Sequence, residues 1–117
     1  MKIRTILESF FADTTREFVK DSGYEDSILS DGNIRVYHGS SKKNISLIKK
    51  SGKFKGFPFF ALDKKVAYRF AQQAGGLPEV MELVVDADAI LPTGGYLSAR
   101  VKGLHSVDGV FYINEYK

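Results

Sequence analysis

Cysteine is absent from this 117-residue chain. Disulfides, thiolate metal sites and a cysteine nucleophile are therefore excluded together, which fits a reducing compartment. Histidine is scarce: there are two, His38 and His105, far apart and without a helical His-x-x-x-His pair, so no metal site is expected. No apolar run reaches membrane-spanning length. The opening Met1-Lys2-Ile3-Arg4 leads into a pattern broken by Glu8 and Asp13 rather than into the continuous apolar core of a signal peptide. The expectation is a soluble, cytoplasmic protein that does not engage a membrane. Acidic residues are slightly outnumbered, 14 against 17 Lys and Arg, giving a net charge of +3. A DNA-mimicking inhibitor needs a strongly acidic face, so that class is disfavoured. There is neither a phosphate-binding Gly-x-x-x-x-Gly-Lys-Ser/Thr loop nor a Rossmann glycine signature opening a helix, and Gly75-Gly76 and Gly94-Gly95 read as turns.

What is present suffices for one core. Hydrophobic residues make up 44% and charged residues 26%, ordinary values for a folded domain of this length, so residues 1–117 are read as a single domain. Ile3, Ile6, Leu7, Phe10 and Phe11 recur at helical spacing and Phe18 and Val19 extend the stripe, which predicts an amphipathic helix over 2–20 packed on the rest of the domain. Residues 21–33 are polar, with turns at Ser22-Gly23 and Asp31-Gly32-Asn33. Alternation over Ile34-Arg35-Val36-Tyr37-His38 predicts a strand with Ile34, Val36 and His38 on one face. A short helix is expected over 44–50, burying Ile45 and Ile48, followed by a loop over 52–56. Phe57 to Ala61 reads as a short strand at a sheet edge, because Pro58 cannot donate to a ladder. Asp63 is read as the N-cap of a helix from Lys64 to about Ala74, with the apolar stripe Val66, Ala67, Phe70, Ala71 and Ala74. At about 100° per residue, Tyr68 falls roughly 130° from the middle of that stripe, away from the helix's own core contact. Strands are expected over 80–86, 89–91 and 110–116. A mobile loop opens at Gly94-Gly95, with a short turn through 98–102 and another turn at Ser106-Val107-Asp108-Gly109. His105 is read as structural or exposed. The fold class is α+β.

One constellation points to a chemistry. Tyr37-His38-Gly39-Ser40 ends a strand, Phe59-Phe60-Ala61 turns into a helix carrying Tyr68, and a terminal apolar strand delivers Glu115. In order and spacing, residues 34–116 resemble the ADP-ribosyltransferase fold, specifically the His, Tyr, Glu branch that includes poly-ADP-ribose polymerases and diphtheria toxin. The resemblance implies a split β-sheet core, with an N-terminal amphipathic helix and short interspersed helices, that binds NAD as co-substrate between two small sheets. It implies that His38 bonds the adenosine ribose, that Gly39 offers backbone groups to the nicotinamide amide and that Ser40 supports that amide. Phe59 and Tyr68 take the two positions that sandwich the nicotinamide ring, the first within the segment Phe59, Phe60, Ala61. The family commonly has tyrosine where Phe59 stands; phenylalanine keeps the stacking and loses a hydroxyl. Glu115 is the implied catalytic acid, accepting from a ribose hydroxyl and stabilising the positive charge that develops as nicotinamide leaves. The arginine-modifying pattern of two glutamates is absent, since Ile113 stands two residues before Glu115.

The implied activity is NAD-dependent transfer of ADP-ribose to a macromolecular acceptor, a host protein. The compact layout resembles small phage anti-CRISPR transferases, which implies a phage or mobile-element effector acting in the host cytoplasm. The alternative is a non-catalytic binding protein of the same fold, acting through its aromatics and the lysines of Lys42-Lys43, Lys49-Lys50, Lys53, Lys55 and Lys64-Lys65. Such a cluster suits dinucleotide phosphates, nucleic acid or an acidic protein, and is equally what a solvated surface looks like. Nothing in the spacing of the aromatics makes nucleic acid binding specific.

Overall fold

A computed structural model describes residues 6–113, with side chains described from Phe10 onward. Three helices and seven strands alternate in an α+β domain. Helix α1 (Ile6–Asp21) leads to strand β1 (Ile34–Ser41) and helix α2 (Lys42–Ser51). Strand β2 (Phe59–Phe60), helix α3 (Lys64–Gln73) and strand β3 (Pro78–Val85) follow. Strands β4 (Ile90–Thr93), β5 (Tyr96–Ala99), β6 (His105–Val107) and β7 (Val110–Tyr112) complete the described chain. One sheet has the order β1-β3-β7-β6, and a second has the order β2-β5-β4.

The alternation in β1 does what a period of two dictates: Ile34 and Val36 are fully buried and His38 follows on the same face. The strand runs three residues beyond the expected His38, pairing antiparallel with β3 from Ile34 opposite Val85 to Ser41 opposite Pro78. Helix α2 buries the two residues expected of it and gains caps the sequence reading did not assign, while α3 has its expected cap and part of its expected stripe, with Ala74 exposed. Ser41 Oγ accepts from the Asn44 amide at 3.1 Å and Gly52 closes α2 in the left-handed conformation. Asp63 accepts from the Lys65 amide at 2.7 Å, so it caps α3 as expected. Ile45 and Ile48 are buried under α2, and Ala67 and Ala71 under α3.

Several expectations change. Helix α1 buries Ala12, Thr15 and Val19, while Phe10 is 61% exposed. Thr15 succeeds in that stripe because its hydroxyl donates to the Ile90 carbonyl at 3.1 Å. The stretch expected to be a mobile loop is a tight hairpin: Gly94-Gly95 joins β4 to β5 with Thr93 opposite Tyr96, and the Thr93 and Ser98 hydroxyls bond at 2.8 Å. Glycine serves the first position of this two-residue connection, where φ is positive, 63° at Gly94. His105 lies on β6, which the sequence pattern had concealed as a turn. Asp108-Gly109, both at positive φ, form the β6–β7 hairpin instead. Pro58 lies just outside β2, which spans only Phe59–Phe60.

Candidate functional site

Among the described residues, one isolated backbone pair bridges the two sheets. Tyr37 and Ala61 exchange backbone hydrogen bonds, Tyr37 N–H to Ala61 O at 2.8 Å and Ala61 N–H to Tyr37 O at 2.9 Å. One step further along β1 the pairing stops. The Phe59 carbonyl, instead of joining a ladder to Gly39, lies 2.8 Å from His38 Nδ1. A carbonyl can only accept, so Nδ1 carries the proton and Nε2 is left as the ring's acceptor when the imidazole is neutral. Burial lowers the His38 pKa below its ordinary value and the Phe59 bond opposes this, so the neutral form is favoured. The edges of Phe54 and Phe60, with ring centroids 5.0 and 5.8 Å from that of His38, fix the imidazole from behind.

Gly39 is held in place by a close approach. A Cβ at this position would come within 1.7 Å of the Ala67 carbonyl oxygen, so α3 crosses β1 where only hydrogen fits. In an antiparallel strand, successive residues direct their backbone groups to opposite sides. Tyr37 directs its N–H and C=O toward Ala61, and Gly39, two residues on, directs its own the same way. There it has no strand partner among the described residues, so a donor and an acceptor face the opening between the sheets.

That opening is a cavity of about 430 Å³ floored by His38, Gly39 and Ser40. Helix α2 supplies Asn44, Leu47, Ile48 and Ser51 as one wall; the 53–59 segment and the end of α3, with Phe70 and Gln73, supply the others. The volume is in the range of small-molecule sites. Ser40 Oγ accepts from Asn44 Nδ2 at 2.9 Å, which ties the floor to α2. Lys53 and Lys55 are the charged residues of the lining, and no acid contributes among the described residues.

His38, Gly39, Ser40 and Phe59 thus come together as expected from sequence. Tyr68 is exposed, away from the core as the helical wheel implied, but it is not among the cavity's lining residues. Phe70, two residues on and assigned to the core stripe, reaches the cavity in its place. Phe59 and Phe70 both pack edgewise on Tyr96, with centroids at 5.2 and 5.8 Å, so one ring holds both. Phe60 and Ala61 are buried and stand behind the site: Phe60 supports His38, and Ala61 joins the sheets. Phe70 and Tyr96 were the residues missed. The signal for Phe70 was its place near the C-terminal end of its stripe; nothing local marked Tyr96.

Glu115 lies outside the described residues, as do Asn114 and Tyr116. Strand β7 is described as far as Tyr112 and joins β3 in parallel at Val84 and Val85, three rungs from Met81, which faces His38. Among the described residues there is no His, Asp and Glu cluster able to hold a metal ion, and no helix is long and apolar enough to cross a membrane. Comparison with protein-family models, with curated proteins and with solved structures gives no match to this chain.

Proposed function

We propose that the chain is an ADP-ribosyltransferase that takes NAD as co-substrate and modifies a macromolecular acceptor, a host protein if the chain is a phage or mobile-element effector. The observation that carries this reading is the junction of the two sheets. Phe59 and Phe70 both line the cavity beside a backbone donor and acceptor of Gly39, and a neutral His38 stands next to them. Such a lining suits a flat carboxamide ring, which stacks on a phenyl group while its amide exchanges two hydrogen bonds with one residue's backbone. The second ring is Phe70 rather than Tyr68. His38 Nε2 accepts from a ribose hydroxyl, Ser40 supports the amide, and Lys53 and Lys55 neutralise the diphosphate.

In the reaction, the bond between nicotinamide nitrogen and ribose C1′ breaks and its electron pair leaves on nicotinamide. The acceptor's lone pair forms the new bond to C1′, and the acceptor's proton passes to a carboxylate or to solvent. The protein's task is to hold the ribose while positive charge develops on it, which calls for an acid. Glu115 is assigned that role from its place in the constellation.

Thermal shift with NAD tests binding without knowledge of the acceptor, because a ligand that binds only the folded state raises the melting temperature by mass action. Wild type is expected to shift upward with millimolar NAD, Phe59→Ala and Phe70→Ala to lose the shift, and Tyr68→Ala to keep it. A wild type that does not shift overturns the site. Nicotinamide release in the presence of acceptor, abolished in Glu115→Gln, tests the chemistry. A second reading, a non-catalytic binding protein, is favoured by the lack of an acid among the described lining residues. It predicts that Glu115→Gln keeps biological activity while Lys53→Glu with Lys55→Glu destroys it.

A further inference from the structure

Charge is segregated along this chain. Residues 32–62 hold seven of the 17 basic residues and none of the 14 acidic ones, so the rest of the chain carries a formal charge of −4 despite the overall +3. This segment builds β1, α2 and the loop over the cavity; Lys53 and Lys55 line the cavity, while Arg35 lies 3.8 Å from Glu82. Apolar side chains stand exposed among these cations: Leu47, Phe57 and Phe59 are 54%, 50% and 48% exposed, and all three line the cavity. Leu47 lies on α2 with Lys43 one turn before it and Lys50 one turn after, both exposed. Lys102 places its ammonium 5.8 Å from the centre of the Phe57 ring.

We infer that this rim is the docking surface for an acidic protein segment carrying an apolar anchor, seated over Leu47 and Phe57 with its carboxylates against Lys43, Lys50 and Lys102. The inference deepens the transferase reading by giving the chemistry of the acceptor, and it rests on that reading for the reaction alone. Charge complementarity selects a polyanion, and two features select protein over single-stranded nucleic acid. Base stacking needs open ring faces, whereas Lys102 stands over one face of Phe57 at the rim. Leu47, the most exposed of the three, has no flat face to offer and suits an aliphatic or aromatic anchor. The mouth thus combines an apolar centre with a charged rim, the arrangement of a protein interface.

Fluorescence anisotropy tests this with three labelled probes: an Asp/Glu peptide interrupted by leucines, an all-acidic peptide of the same length, and an oligothymidylate. The leucine-containing peptide is expected to bind tightest. Leu47→Ser or Phe57→Ser should weaken it about tenfold, and Lys43→Glu with Lys50→Glu at least as much. The lysine double variant should keep the NAD-induced thermal shift, which shows that it is folded with its cavity intact. Tighter binding of the oligothymidylate, equal binding of the two peptides, or no loss in the lysine variant overturns the inference. So does a wild type that sediments as a dimer dissociated by Leu47→Ser, since the occupant is then a second copy. Peptide binding without any NAD shift leaves the docking surface standing and removes the transferase reading.

Discussion

Helices α2 and α3 are each ten residues long, each capped by a side-chain oxygen at the preceding residue, and both flank the end of β1. They have opposite effects on it. Helix α3 presents Ala67 and Ala71, so its backbone descends onto Gly39 and leaves no room for a side chain there. Helix α2 presents the larger Ile45 and Ile48, with Leu47 and Asn44 beside them, and stands off to leave the cavity. Side-chain size at two positions per helix decides which face of the strand is closely packed and which is a site. Small residues permit close approach and large ones enforce distance.

The strongest way to break this comparison is Gly39→Ala. Its added methyl meets backbone rather than a flexible side chain, so α3 must lift from β1 at a cost of about 3 kcal/mol or more. Urea unfolding should show a lowered midpoint; a loss below about 1 kcal/mol would mean that the close approach is not what seats α3. On the open side, Ile48→Ala is expected to cost about 2 kcal/mol, the low end for such a truncation, because Ile48 borders the cavity and its neighbours have room to shift. If it cost as much as Gly39→Ala, the two sides would be equally packed and the contrast would fall. Ser41→Ala and Asp63→Ala should each remove about 1 kcal/mol, since each side chain satisfies one backbone donor at its helix start. A larger loss for Asp63→Ala would reflect the Tyr24 hydroxyl, which also donates to Asp63 at 3.4 Å, while a larger loss for Ser41→Ala would show that α2 leans on its cap more than α3 does.

The smallest expected effect is on pH dependence. His38 has its folded pKa lowered from the usual 6.5, chiefly by burial. Below 6.5 the unfolded chain therefore takes up this proton before the folded one does. The associated stability is complete above 6.5 and is lost as pH falls from there through the folded pKa. Protonation also removes the Nε2 acceptor, so the NAD-induced shift should weaken over the same range. His38→Gln should flatten this component of the stability profile, which denaturation at a series of pH values will show; an unchanged profile would mean that His38 does not carry it.

Much of this arrangement can be read along the chain. The period of two in Ile34, Val36 and His38 determines which face of β1 is buried, because alternate residues must point the same way. Asp63 before Lys64 and Ile45 with Ile48 determine the two helices, because caps and apolar spacing act within a few residues. The wheel also placed Tyr68 outside the core of α3 correctly. It did not show that Phe70 rather than Tyr68 lines the cavity, because lining a cavity depends on where a helix ends over a sheet and not on its own periodicity. Phe70 meets the cavity for that reason, and Tyr96 joins it to Phe59 from a strand more than thirty residues later in the chain than Phe59. Strand β6 was hidden because three residues flanked by turns carry too little pattern to recognise, and pairing with β7 alone defines it.

Residue order was enough to establish the main helices and strands, the faces that β1, α2 and α3 bury, the candidate His38-Gly39-Ser40 strand end and the concentration of lysine around it. Packing in three dimensions was needed to separate the two sheets immediately after Tyr37, leaving the Phe59 carbonyl to the His38 ring and the Gly39 backbone to the cavity. Local propensities extend over a turn or a strand, whereas this junction arises from elements packed at distances that only the side chains between them set.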